Sequence, residues 1–134
     1  PFEAAAVRAV LPSLDLLVMN EGEAAGLARD LQVDLRDLPV AHVIVTLGAR
    51  VCRWIDTRAG SARDFPAPKV DVIDTTGAGD TFTGYLVAGL HRAAGAIDVP
   101  LIDSAIAQAL AASAIMVTRL GTADVIPTLA DIRA

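Results

Sequence analysis

The stretch VDVIDTTGAGDTFTGYLVAGL, Val70 to Leu90, begins as an apolar, β-branched run and ends as an amphipathic helix. The run Val70–Asp74 predicts a strand, and the pattern after it predicts a helix from about Gly79 to Ala94. Between the two stand Gly77, Ala78 and Gly79, followed at once by a carboxylate, Asp80. Small residues let backbone N–H groups approach a ligand. The first turn of a helix adds N–H groups without intrahelical partners and a partial positive charge. Together they suit an anion such as phosphate. A plain glycine turn, with Asp80 complementing the helix dipole, uses the same residues, and on Gly-Ala-Gly-Asp alone both readings stay open. The pattern is not a Walker A loop, because no Gly-Lys-Ser/Thr follows to bring a lysine to the phosphates.

Working outward, strand and helix patterns alternate. Phe2–Val10 has helical spacing and is broken by Pro12-Ser13. Leu14–Met19 is a short apolar run that enters the polar NEGE, as a strand entering a loop would. Glu23–Leu31 predicts a short helix and Asp34–Leu38 a single helical turn. Ala41–Gly48 and Val51–Asp56 predict two strands of a hairpin around a tight Gly-Ala-Arg turn. The segment 57–69 has two prolines and predicts a loop. A second long helix is predicted over Leu101–Val117, then a loop, then a last helix over Thr128–Ala134 with Thr128 as N-cap and Asp131 in its first turn. Such alternation predicts an α/β domain, a sheet covered by helices.

The totals agree with that class. At 134 residues the chain can build one domain with one core. Hydrophobic residues make up 54% and aromatics 4%, which suits strands covered on both faces. A net charge of −5 gives a nucleic-acid partner little electrostatic support. The single cysteine, Cys52, lies in an apolar run and reads as a buried, unreactive thiol. No apolar run approaches the ~20 residues of a membrane span, no signal segment opens the chain, and a cytoplasmic location is expected. Neither His42 nor His91 has a second ligand at metal spacing. Trp54 reads as a packing residue of the hairpin, and Lys69 as a solvated lysine.

The segment DTTGAGDTFTG, Asp74–Gly84, resembles the C-terminal signature of the ribokinase-like, or PfkB, carbohydrate kinases. The resemblance implies a three-layer α/β/α fold, of which the chain would be the C-terminal part only. It implies that Asp80 is the general base that deprotonates a sugar hydroxyl, and that the backbone of Gly77, Ala78 and Gly79 forms an anion hole for the phosphoryl group transferred from ATP. Such transfer needs positioning and charge neutralisation more than covalent chemistry. NEGE resembles the family's N-x-x-E motif, so Asn20 and Glu23 are implied to hold Mg²⁺ and phosphates, often through water. Val43–Val51 resembles the strand and turn beside the nucleotide, which places Thr46 and Gly48 at the ATP phosphates or ribose. Ala111–Pro127 resembles the last long helix and a closing loop that flanks adenine. Asp74 and Thr76 match residues that bind a monovalent cation such as K⁺, with further ligands from 117–122. Two positions depart from the pattern: Val125 replaces a small polar residue before the closing proline, and Leu110 falls where a polar residue often lies near adenine.

The resemblance spans nearly the whole chain, yet family members are much longer, and Pro1 has no methionine before it. Residues 1–134 are therefore expected to be the ATP-binding and catalytic portion, without the N-terminal sugar-binding and lid portion. Ribokinase-like substrates fit best; fructose, 2-keto-3-deoxygluconate and nucleosides stay open, as does a homo-oligomer. The alternative is a non-catalytic nucleotide-binding fragment or regulatory binding module.

Overall fold

The computed structural model describes residues 3–48, 50–92 and 97–133. They form two compact units, Pro1–Pro66 and Ala67–Ala134.

In the first unit, α1 (Ala4–Val10) runs into a 3-10 turn at Leu11–Ser13, where Pro12 stops the helix. Then come β1 (Leu16–Asn20), α2 (Glu21–Leu31), a 3-10 turn at Leu35–Asp37, β2 (His42–Thr46), β3 (Val51–Asp56) and β4 (Ser61–Pro66). The four strands form one sheet in the order β1-β2-β3-β4. β1 and β2 are parallel, joined by the α2 crossover, and the remaining pairs are antiparallel. β2 is buried along His42–Val45, as a central strand covered on both faces should be. On one side Val43, Val45 and Ile55 join Ala24, Leu27 and Leu31 of α2 in the core. Those three helix residues recur at the α-helical period, so α2 needs only one apolar stripe.

On the other side of the β2–β3 hairpin lie Ile44, Cys52 and Trp54, all buried. Burial pushes the Cys52 thiol up to about 12, as an unreactive cysteine requires. The Trp54 indole Nε1 donates to Nδ1 of buried His42 at 3.3 Å, so both polar atoms are satisfied inside the sheet.

Two sequence expectations fail here. The segment 57–69 is not all loop, because β4 occupies Ser61–Pro66. Its SARDFP lacks apolar alternation because it is an edge strand with five exposed residues of six, and its proline stands at the strand's end. The turn into it is built by the Asp56 carboxylate, which accepts from the Arg58 and Ala59 N–H groups at 3.0 Å, and by Gly60 at φ 65°. Arg53 and Asp64, opposite each other in register, are joined in a two-pronged ion pair at 2.7 and 2.8 Å. Conversely, Val70–Asp74 is not a strand. It has the right pattern and no ladder partner among the described residues: the Ile73 and Asp74 N–H groups both donate to the Val117 carbonyl, and Val70, Val72 and Ile73 stay exposed.

The second unit is helical: α3 (Ala78–His91), α4 (Val99–Met116) and α5 (Leu129–Arg133). The expected helix end at Ala94 lies outside the described residues. α4 starts under an Asp98 cap, whose Oδ1 accepts from Leu101 N–H at 2.9 Å, with Pro100 in its first turn. α3 and α4 pack antiparallel: Ser113 Oγ donates to the Ala78 carbonyl at 3.0 Å, and a Cβ at Gly89 would lie 3.1 Å from that of Ala105. By length and composition α4 could cross a membrane, a feature the sequence reading did not register. Its buried Ile102, Ala105, Ile106, Ala109, Ala112 and Met116 recur at the spacing of a packed helix face.

Burial lowers the His42 pKa below its ordinary 6.5, and Arg58 lowers it further; Asp56 and Asp15 oppose the shift. The unfolded chain therefore takes up this proton at a higher pH than the folded chain, and folding stability falls as pH drops below 6.5. The urea midpoint, read from the single tryptophan, should fall between about pH 7.5 and about pH 5.5, and His42→Gln should flatten that fall. The lowered carboxylates Asp64, Asp74 and Asp131 act below 3.8 and leave this window alone.

Candidate active site

The glycine turn sits at the start of the second unit. Asp74 opens it: its Oδ1 accepts the Thr76 backbone N–H at 2.9 Å. The Thr76 backbone and side-chain hydrogen bonds, with the Gly121 N–H, hold the Asp74 carboxyl below the usual carboxylate range. Gly77 then takes the left-handed conformation, φ 77° and ψ 1°, and serves as N-cap of α3 without a side chain to donate to. A side chain is disfavoured there twice, by φ and by the Met116 methyl, which a Cβ would meet at 3.1 Å and push aside. The Thr81 N–H closes the first helical turn onto the Gly77 carbonyl at 2.8 Å, and the Ala78 N–H donates to the Thr75 carbonyl at 3.2 Å. No side-chain cap occupies this helix start, whose dipole end therefore faces whatever lies there. Asp80 stands in the first turn and is exposed. A carboxylate at the mouth of an anion-binding helix start can take a proton from a hydroxyl brought to it.

The first unit holds the other candidates. Asn20 is both the last residue of β1 and the N-cap of α2, so strand and helix join without a loop. Its Oδ1 accepts the Glu23 N–H at 2.8 Å, and Glu23 Oε2 accepts the Asn20 N–H at 2.9 Å. The N-x-x-E spacing is thus a reciprocal capping box, which accounts for both residues structurally. The parallel register sets Asn20 beside Thr46, at the carboxyl ends of β1 and β2, where ligands of open α/β sheets bind. Thr46 Oγ1 is 3.5 Å from the Met19 carbonyl, long for a hydrogen bond. Gly48, at φ 64°, turns the chain out of β2, and Leu47 N–H closes onto Val51 at 2.8 Å.

The structure therefore brings together Asp74, Thr76, Gly77, Ala78, Gly79 and Asp80 in one unit, and Asn20, Glu23, Thr46 and Gly48 in the other. Of the metal candidates, Asp74 and Thr76 are hydrogen-bonded to each other, while Glu23 belongs to the first unit. Among the described residues, no three His, Cys, Asp or Glu side chains cluster as a metal site. One contact had no sequence signal: the Tyr85 hydroxyl of α3 donates to the Pro127 carbonyl.

Residues 1–129 match the model of the pfkB family of carbohydrate kinases. The aminoimidazole riboside kinase of Salmonella typhimurium is 43% identical over 99 residues, which is 74% of this chain and 30% of that protein. The ribokinase of Haemophilus influenzae is 35% identical over 129 residues, 89% of this chain and 40% of that protein. The crystal structure of aminoimidazole riboside kinase from Salmonella enterica, complexed with aminoimidazole riboside and an ATP analog, superposes with a TM-score of 0.84 at 32% identity, over 97% of this chain and 44% of that one. The chain belongs to the pfkB family of carbohydrate kinases and has its ribokinase-like α/β fold. It spans less than half the length of these relatives.

Two substitutions test the local geometry. Asn20→Ala should destabilise the chain by about 1 kcal/mol through loss of the α2 cap, read as a lower urea midpoint. Gly77→Ala should cost about 1–2 kcal/mol for the left-handed backbone alone, and more through the Met116 contact.

Proposed function

We propose that residues 1–134 are the nucleotide-binding and catalytic portion of an ATP-dependent kinase that phosphorylates a sugar hydroxyl, with the sugar contacts and lid outside these residues. The observation that carries this reading is the left-handed Gly77 turn, which opens an α3 N-terminus free of a side-chain cap with Asp80 in its first turn. Asp80 takes the proton of the acceptor hydroxyl as its oxygen attacks the γ-phosphorus, and the bond to the ADP oxygen breaks. The N–H groups of Gly77, Ala78 and Gly79 steady the charge on the transferring group; Ala78 does so on exchanging its bond to Thr75. The site lacks a Walker lysine, so backbone dipoles carry that neutralisation.

Asn20 and Glu23, with Thr46 and Gly48 at the carboxyl ends of β1 and β2, are the residues that the resemblance assigns to the ATP phosphates. Mg²⁺ would be held by Asn20 and Glu23 through water, since one oxygen of each already serves the capping box. When bound, it neutralises phosphate charge. The Asp74 carboxylate, Thr76 and the loop 117–122 supply oxygens suited to K⁺, which would fix the turn rather than react. The riboside and ribose kinases among its relatives support a furanose-bearing acceptor. The second reading is a nucleotide-binding piece that does not transfer phosphate.

In the full-length protein that carries this chain, Asp80→Asn should keep ATP binding and lower kcat at least ~10²-fold, measured on a sugar panel with ATP and Mg²⁺. Near-normal turnover would remove Asp80 as base. ATP binding by the wild type with no transfer to any sugar would support the binding-only reading.

A further inference from the structure

The segment between α4 and α5, residues 117–128, has little regular structure beyond a 3-10 turn at Ala123–Val125, yet it is fastened along its length. At its start, the Val117 carbonyl accepts from Ile73 N–H at 2.7 Å and Asp74 N–H at 3.1 Å, and the Gly121 N–H reaches the Asp74 carboxylate. In its middle, Arg119 Nη1 donates to the Val125 carbonyl at 3.2 Å, and Nη2 lies 3.7 Å from Asp131. At its end, the Tyr85 hydroxyl donates to the carbonyl of buried Pro127. Thr128 and Asp131 then bond reciprocally, at 2.7 and 3.3 Å between backbone and side chain, to begin α5. One end is thus tied to the residue that opens the glycine turn, and the other to the helix that the turn begins. Between them Leu120 and Ile126 stand out in solvent, Leu120 at 78% exposure. An irregular segment with few buried side chains would ordinarily be among the first parts of a fold to open. These bonds instead hold the segment, with its exposed Leu120 and Ile126, in place on α3 and on the residue that opens the glycine turn. That combination suits a ligand with phosphates at one end and a flat apolar ring at the other.

We propose that Tyr85 is a positioning residue for nucleotide binding: its hydroxyl, by holding the Pro127 carbonyl, fixes the 117–128 segment against α3 so that the ligand meets a surface already in place. Tyr85 touches no reacting atom in this scheme and acts through the loop. Arg119 braces the same loop from within. A pre-formed loop spares the ligand the entropy of ordering it, so a lost fastening appears as weaker affinity. The proposal rests on the nucleotide-site reading given above.

The test is calorimetric titration of the full chain with ATP and Mg²⁺, wild type against Tyr85→Phe, which removes one oxygen and keeps the ring. The expected result is a Kd for ATP raised roughly 3- to 10-fold, the size of one lost hydrogen bond, with the fitted stoichiometry unchanged. A merely structural role would lower the unfolding temperature and the stoichiometry and leave Kd where it was. An unchanged Kd therefore overturns the proposal, whatever happens to stability. Wild-type chain that binds no ATP would instead overturn the nucleotide-site reading, and the role of Tyr85 with it. Should Tyr85→Phe fail to fold, Arg119→Ala cuts the second brace and takes its place, with the same expected rise in Kd and the same result against it.

Discussion

The left-handed conformation of Gly77 is the constraint on which the second unit depends. It carries the chain from the turn at Thr76–Gly77 into α3. It brings the backbone close enough to Met116 that a Cβ would lie 3.1 Å from the Met116 methyl. It also caps α3 with a residue that has no side-chain donor or acceptor, so no side chain covers the positive end of the helix. The neighbouring contacts lock this arrangement. Ser113 on α4 holds the Ala78 carbonyl, and the Val117 carbonyl and Gly121 N–H hold Asp74.

The first unit solves a related problem differently. There a strand becomes a helix at Asn20, and the cap is a side chain rather than a bare backbone. The capping box covers the α2 start with side-chain atoms, whereas no side chain caps the α3 start. This contrast assigns the two helix starts different work: α3 receives the transferring phosphoryl group in the proposed mechanism, and α2 presents carboxylate and amide oxygens at the strand ends. The parallel register that sets Asn20 beside Thr46 follows from the crossover through α2, since a right-handed β-α-β unit aligns the carboxyl ends of its strands.

Two polar pairs, one buried and one exposed, mark the arrangement of the sheet. His42 and Trp54 satisfy each other inside the β2–β3 hairpin, and the Arg53–Asp64 pair ties β3 to the exposed β4. The second pair is open to water and adds little stability, but it marks the register of an edge strand that has almost no apolar residues to set it.

The helices, the Thr128 cap and the β2–β3 hairpin were legible in the sequence, because each depends on residues a few positions apart. The glycine turn was legible for the same reason: an anion-binding helix start is a local object, built from Gly77 to Asp80. The sequence by itself therefore determined the class of fold and the chemistry offered at the turn. Only the tertiary structure decided which apolar runs became strands. SARDFP pairs because β3 lies beside it, and VDVID does not because no described strand does. It alone also disclosed that Tyr85 reaches Pro127 and Trp54 reaches His42, and that N-x-x-E closes as a capping box. Strand pairing and loop anchoring satisfy backbone and side-chain groups with partners far away in the chain, and no local pattern states where those partners will be.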